Sequence, residues 1–307
     1  MNRNIRTDLA IELRENYEQD SKIEGVKIKT VLNEDKSIRT TIIDVVNDMG
    51  VSKLGKDIGT YITIECEELN EYDDGIHQPL MQELAARIKD LLGDSKSVLV
   101  AGLGNRSVTP DSLGPLVIDN LYVTRHLSAA KEKEEPDSDG LVISAICPGV
   151  MAQTGIETVE ILKGICQNIE VDTLIVIDAL AARSSKRLNK TIQLTDTGIS
   201  PGSGVGNNRK SITSKNMGIR VIAIGVPTVI SVPSLVDDSM DLIADAFNQK
   251  YGKSIMKEFS DEQRYHLACS LVEPELVDMF VTPKNIDELV KRISFTISEA
   301  INSIISI

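Results

Sequence analysis

The chain has 307 residues, long enough for one large domain, and its 41% hydrophobic content supports a sizeable core, which must be built from Ile, Val and Leu because aromatics make up 3% and Trp is absent. A formal net charge of -13 argues against a nucleic-acid-binding protein, which needs a basic patch. No apolar run approaches the ~18 residues of a membrane span, and the N-terminal stretch MNRNIRTDLAIELRENYEQ has no signal-peptide core.

Residues 1–20 are polar with little period and read as an arm. From Gly25 to Val46 apolar residues alternate around a turn signal at Asn33-Glu34-Asp35-Lys36, which predicts a hairpin. Tyr61 to Cys66 is a further strand. Leu80, Leu84, Ile88 and Leu91 recur at helical spacing, predicting an amphipathic helix over about 78–92. Val98-Leu99-Val100-Ala101 is a buried-type strand that breaks at Gly102-Leu103-Gly104-Asn105 and presents Asp111 before a new helical segment with Leu116, Val117 and Leu121. The charge run KEKEEPDSDG at 131–140 is a solvated loop.

Leu141 to Ile146 is a strand. Thr154 with Glu157 fits a capping box opening a helix whose apolar face is Ile156, Val159, Leu162 and Ile165. Thr173 to Ile177 is a strand that ends on Asp178, Thr191 to Leu194 a shorter one, and Arg220 to Val226 another that stops at Pro227. Val236, Met240, Ile243 and Phe247 mark a helix, and Ile286 to Ile304 a long C-terminal one. Strands alternating with helices from about residue 97 imply an α/β fold with a mainly parallel sheet, covered by helices on both faces, preceded by a β-rich N-terminal annex.

A strand ending in a Gly-rich loop that hands over to a helix is a site-building unit of α/β sheets. Asp111 and Asp178 are therefore expected together at the carboxyl edge of one sheet, sharing a proton and doing acid–base work. The plain alternative is that Asp111 caps a helix and Asp178 bonds loop amides. Gly102 and Gly104 shape the loop with Asn105, but no dinucleotide or P-loop fingerprint is present. The segment at 201–206 forms a connection, a lid or an anion cradle beside Arg209 and Lys210. His77, His126 and His266 form no H-E-x-x-H, and His126 reads as a surface residue rather than a metal ligand. Cys147 reads as a buried, inert thiol. The four cysteines, widely spaced and without C-x-x-C, point to reduced thiols in a cytoplasmic protein.

Five stretches resemble the germination protease family of endospore-forming bacteria: GLGNRSVTPDSLGP at 102–115, CPGVMAQTGIETVEILKGI at 147–165, IDALAARS at 177–184, TIQLTDTGISPGSGVGNNR at 191–209 and VIAIGVPTVI at 221–230. The resemblance implies an endopeptidase of small acid-soluble spore proteins, with a core similar to hydrogenase maturation proteases. It places the two proposed catalytic carboxylates on Asp111 and Asp178. It implies a zymogen that removes its own N-terminal peptide, here 1–8, leaving one domain at 9–307 with an annex at 9–75 and a core from about 76. Thr7-Asp8-Leu9-Ala10-Ile11-Glu12 resembles the family's cleavage site, so processing is expected between Asp8 and Leu9. A homotetramer in the cytoplasm of the forespore or spore core is also implied, with no nucleic-acid or membrane partner. Arg183, Arg187 and Arg209 are candidates for holding a substrate Glu, because Arg pairs bidentately with carboxylates. No metal or other cofactor is demanded. The rival readings are a metal-dependent peptidase using the same acidic pair with a further ligand, and a non-catalytic peptide- or anion-binding protein.

Overall fold

The alternating stretch after Gly25 forms strands β1 (Val26–Leu32) and β2 (Ile38–Val45), paired antiparallel, with Asn33 Oδ1 accepting from the Ile38 N–H at 2.8 Å across the turn. The computed structural model describes residues 11–12, 23–70, 74–127, 140–206, 209–251 and 260–305. Helix α1 (Asp48–Leu54), capped by the Asn47 side chain, leads into β3 (Gly59–Cys66). Then come α2 (His77–Leu92), β4 (Ser97–Gly102), α3 (Leu113–Asp119), β5 (Val142–Ile146), α4 (Met151–Thr154) and α5 (Thr158–Ile169). The second half carries β6 (Thr173–Ala182), β7 (Thr191–Thr195), α6 (Ser214–Met217), β8 (Arg220–Ser231), α7 (Val232–Tyr251), α8 (Asp261–Ser270), β9 (Phe280–Val281) and α9 (Ile286–Ser303).

The strands join in one mixed sheet in the order β1-β2-β3-β7-β8-β6-β4-β5, with β9 beside the end of β8. Its core, β5-β4-β6-β8, is parallel, and the N-terminal strands extend the same sheet antiparallel through β3 and β7. Side chains of β4 alternate between two cores, as a two-residue period requires. Val98 and Val100 meet Leu84, Ile88, Val117, Ile293 and Ile297 from α2, α3 and α9 on one face. Leu99 and Ala101 meet Leu162, Cys166 and Met217 from α5 and α6 on the other. Burial on both faces is why these strands read as continuous apolar runs.

The structure departs from the sequence expectations in identifiable places. β6 does not end on Asp178 but runs on to Ala182, and β8 runs past Pro227 to Ser231, because the two strands pair with each other over that extra length. Their register shifts between Leu180 and Ala181, beside the Leu180–Pro227 pair, and such an irregularity accommodates a residue lacking an N–H. The capping box of Thr154 and Glu157 does not form. Gly155 takes a left-handed φ of 71° that ends α4, and α5 begins later with no side-chain cap from Glu157, leaving Ile156 exposed. Helix α7 forms, yet Leu242, Ile243 and Phe247 are exposed on it. Ile11 and Glu12, within the expected polar arm, are buried. The charge run at 131–139 lies outside the described residues. No helix among the described residues is long and apolar enough to cross a membrane.

Helix α3 approaches the strand ends backbone to backbone. A Cβ at Gly114 would lie 2.4 Å from the Leu103 carbonyl oxygen and 2.6 Å from that of Ile177. Gly114→Ala is therefore expected to lower stability by about 3 kcal/mol, at the upper end of overpacking costs, because main chain cannot swing aside as a side chain does. Urea unfolding of variant and parent checks this, and an unchanged midpoint contradicts it.

Candidate active site

β4 pairs with β6 only as far as Gly102 opposite Ile177. Asp178 is the next residue of β6, so it sits where β4 has left the sheet and β8 alone continues beside it. This is the carboxyl edge of the parallel strands, where α/β sheets place their ligands. The Leu103 N–H still reaches back to the Ile177 carbonyl at 2.8 Å, after which the chain turns away. Gly104 makes the turn with a φ of 102°, and a Cβ there would stand 2.0 Å from the Asp111 carbonyl oxygen. The Asn105 N–H then donates to Asp111 Oδ2 at 2.7 Å. Gly102, Gly104 and Asn105 thus act together: the glycines let the loop close, and Asn105 fixes the carboxylate.

Asp111 ends a 3-10 turn, Thr109–Asp111, with its N–H donating to the Val108 carbonyl at 2.8 Å. That turn is tethered from the far side by the Thr228 hydroxyl, which donates to the Pro110 carbonyl at 2.7 Å. The Thr228 carbonyl in turn accepts from Thr282 Oγ1 at 2.7 Å. Gly102, Asp178 and Thr228, on β4, β6 and β8, thereby bracket one position. Thr228 and Gly114 lie within the family-like stretches, but no local pattern marked their roles, since these depend on contacts between distant segments.

Asp111 and Asp178 line the same cavity, of about 550 Å³. Its walls include Leu103, Val150, Met151 and Leu180, with Pro201, Gly202 and Gly204 of the Gly-rich segment on another side. Burial pushes the half-buried Asp111 carboxyl above its usual range, against the opposing effect of the Asn105 hydrogen bond. Asp178 is buried, and its Oδ1 accepts from the Ala179 N–H at 3.0 Å. Two carboxylates facing one partly apolar cavity, one of them inclined to hold its proton, can supply an acid and a base to a bound amide.

Of the three arginines expected to meet substrate, Arg209 lines the cavity, with Nη1 on Met151 Sδ at 3.3 Å. Arg183 and Arg187 lie beyond it, just after β6. Arg187 is buried and donates from Nη1 to Glu65 Oε1 at 2.7 Å. Lys210 pairs with Glu160 at 2.7 Å. Asp8 and Leu9 lie outside the described residues. His126 is exposed and off the cavity, as a surface residue is expected to be. Cys147 is exposed, not buried as expected, because it sits past the end of β5 where the chain leaves the sheet. Desolvation still raises its thiol, outweighing the nearby Arg106 guanidinium. Among the described residues no group of three or more His, Cys, Asp or Glu is gathered to hold a metal ion.

Residues 5–258 match a family model described as germination protease. The chain is 41% identical to the germination protease of Clostridium perfringens, over 97% of this chain and 94% of that protein. It is 42% identical to that of Caldanaerobacter subterraneus over 97% and 93%. It is 36% identical to that of Priestia megaterium over 97% and 93%. Among solved structures, a [NiFe] hydrogenase maturation protease, HycI, from Thermococcus kodakarensis overlaps 70% of this chain and 97% of its own at 13% identity, with a TM-score of 0.32.

Because the folded state holds the Asp111 proton more tightly than an unfolded Asp of pKa about 3.9, this group stabilises the fold fully below pH ~4 and loses that contribution as pH rises through its raised folded value. Asp111→Asn cannot ionise. The stability of the variant relative to the parent is expected to grow between pH ~3.5 and pH ~7, read by urea unfolding at both. A difference that stays level or shrinks would show that burial does not govern this carboxyl.

Proposed function

The chain belongs to the germination protease family, and from that premise we propose that it is an endopeptidase that begins the degradation of small acid-soluble spore proteins in the spore core, made as a zymogen that cuts itself between Asp8 and Leu9. The observation that carries the mechanism is the placement of Asp111 and Asp178 on one cavity at the carboxyl edge of the parallel strands. Asp178 acts as base: it takes a proton from water as the water oxygen attacks the scissile carbonyl carbon. Asp111, inclined by burial towards its protonated form, polarises the carbonyl oxygen and then gives its proton to the leaving amine nitrogen. The proton on Asp178 returns the pair to its starting state through solvent. General acid–base catalysis of this kind contributes on the order of 10² to 10⁴ in rate.

Arg209, on the cavity wall, is suited to draw an acidic substrate side chain towards the pair. Assembly as a homotetramer is part of the same reading, supported by exposed apolar side chains Leu242, Ile243 and Leu271 along α7 and at the end of α8.

Intact mass against time at mildly acid pH tests the proposal. The parent is expected to lose residues 1–8, while Asp111→Asn and Asp178→Asn each slow that loss at least 10²-fold. Cleavage of either purified variant at the parental rate would mean that the pair is misassigned.

A further inference from the structure

Every polar atom of Asn105 but one is engaged by the fold. Its N–H donates to Asp111 Oδ2 at 2.7 Å. Its carbonyl accepts from the Val108 N–H at 3.0 Å. Its side-chain Oδ1 accepts twice, from the Ser107 N–H at 3.0 Å and from Gln153 Nε2 at 3.3 Å. The first of these is an Asx turn, in which an Asn side chain bonds the backbone two residues on. A backbone N–H can only donate, so the contact with Ser107 fixes which end of the amide is the oxygen. The remaining atom is Nδ2, which has no partner among the described residues. Asn105 lines the cavity together with Asp111 and Asp178. Shaping the loop takes the oxygen of this amide; the donor end is surplus to the fold and adjoins the acid–base pair.

The chemistry of the pair calls for such a donor. When water attacks the scissile carbonyl carbon, the π electrons of the C=O bond move onto its oxygen. Charge then grows inside a partly apolar cavity, where a donor fixed in advance stabilises it without reorganising. Asp111 supplies one O–H. Its Oδ2 is committed as the acceptor of the Asn105 N–H, which leaves Oδ1, without a protein partner among the described residues, to carry that proton.

We propose that Asn105 is a catalytic residue of this site, its Nδ2–H donating to the carbonyl oxygen of the scissile bond as that oxygen becomes an oxyanion; this rests on the endopeptidase reading. No proton leaves Asn105. Its hydrogen bond tightens as the water oxygen bonds to carbon. It relaxes when the C=O bond re-forms and the C–N bond breaks, the leaving nitrogen taking its proton from Asp111. Asn105 then serves the site twice, its backbone holding the acid and its side chain holding the charge that the acid helps to create.

The test separates the donor from the loop. Asn105→Asp keeps an oxygen for Ser107 and Gln153 and replaces only the donor. Asn105→Ala removes the donor without adding charge, and urea unfolding shows that it folds. Full-length parent and variants are followed by intact mass for loss of residues 1–8 between pH ~4.5 and ~7.5. Near pH 7 both variants are expected to be slower than the parent by a factor on the order of 10² to 10³, the scale for one lost oxyanion donor. The charged groups around the substituted position are Asp111 and Asp178 on the cavity, Arg209 on its wall, and Arg106, which Asp119 holds at 2.8 Å. The two aspartates favour the neutral form of the introduced carboxyl. Once protonated it has an O–H to offer, so the deficit of Asn105→Asp relative to the parent should shrink as pH falls, while that of Asn105→Ala stays level. Asn105→Asp at the parental rate near pH 7 would mean that the residue only shapes the loop. Asn105→Ala at the parental rate, or a deficit of Asn105→Asp that does not shrink in acid, equally overturns the donor. These results, in a parent that does cut itself, remove the role of Asn105 and leave the endopeptidase reading standing. A parent that never loses residues 1–8 removes both.

Discussion

The contact of main chain with main chain where α3 meets the ends of β4 and β6 sets the position of everything that follows. Gly102 and Gly114 carry no side chain between them, and a Cβ at Gly102 would stand 2.3 Å from the Gly114 carbonyl oxygen. With the helix seated that low, the eight residues from Leu103 to Pro110 must close a tight loop, and Asp111 is delivered back over the strand end it has just left. Asp178 needs no loop at all. It is presented by a strand that continues after its neighbour has stopped, held by β8 on the remaining side. One carboxylate comes from a turn and the other from a strand, and the helix contact brings them onto one cavity. The Thr228 hydroxyl on the Pro110 carbonyl then joins the third strand to the same turn.

Burial acts on two carboxylates of this region in opposite ways. Asp111 receives one backbone N–H and is half-buried, so desolvation prevails and its carboxyl leans towards the neutral form. Glu12 is more deeply buried but meets a guanidinium and two N–H groups, the arrangement that a buried charge requires. An underpaired carboxylate is suited to moving a proton, and a paired one to holding a segment in place.

The parts legible in the sequence are those governed by local pattern. The hairpin after Gly25, the helix over α2 and the C-terminal helix follow from two-residue and 3.6-residue periods, and each is found. The apolar run of β4 and its Gly-rich break mark the site edge for the same reason. The length of β6 past Asp178 was not legible, because Ala179, Ala181 and Ala182 carry no strand signal and Pro227 on β8 reads as a stop; mutual pairing of two weak segments decided it. Thr154 and Glu157 have the spacing of a capping box, but Gly155 between them takes a left-handed turn that places them on different helices. Glu12 was hidden for a more general reason. Its partners are 171 and 172 residues away in sequence, and no local composition reports such a contact.

The antiparallel half of the sheet acquires a purpose from the same interactions. β3 is joined to β7 along five residue pairs, and β7 to β8, so the N-terminal strands are continuous with the strands that carry the site. Glu65 on β3 is the fixed counter-charge of Arg187, and Lys190, three residues on, pairs with Glu67 just past the end of β3. The loop after β6 is thus anchored to the annex through two ion pairs, one of them shielded from water and so little weakened by salt. A buried guanidinium needs such counter-charges, because leaving one unpaired costs several kcal/mol. Arg187 meets the carboxylates of both Glu65 and Glu12, and so ties the N-terminal segment, the loop after β6 and β3 to one another.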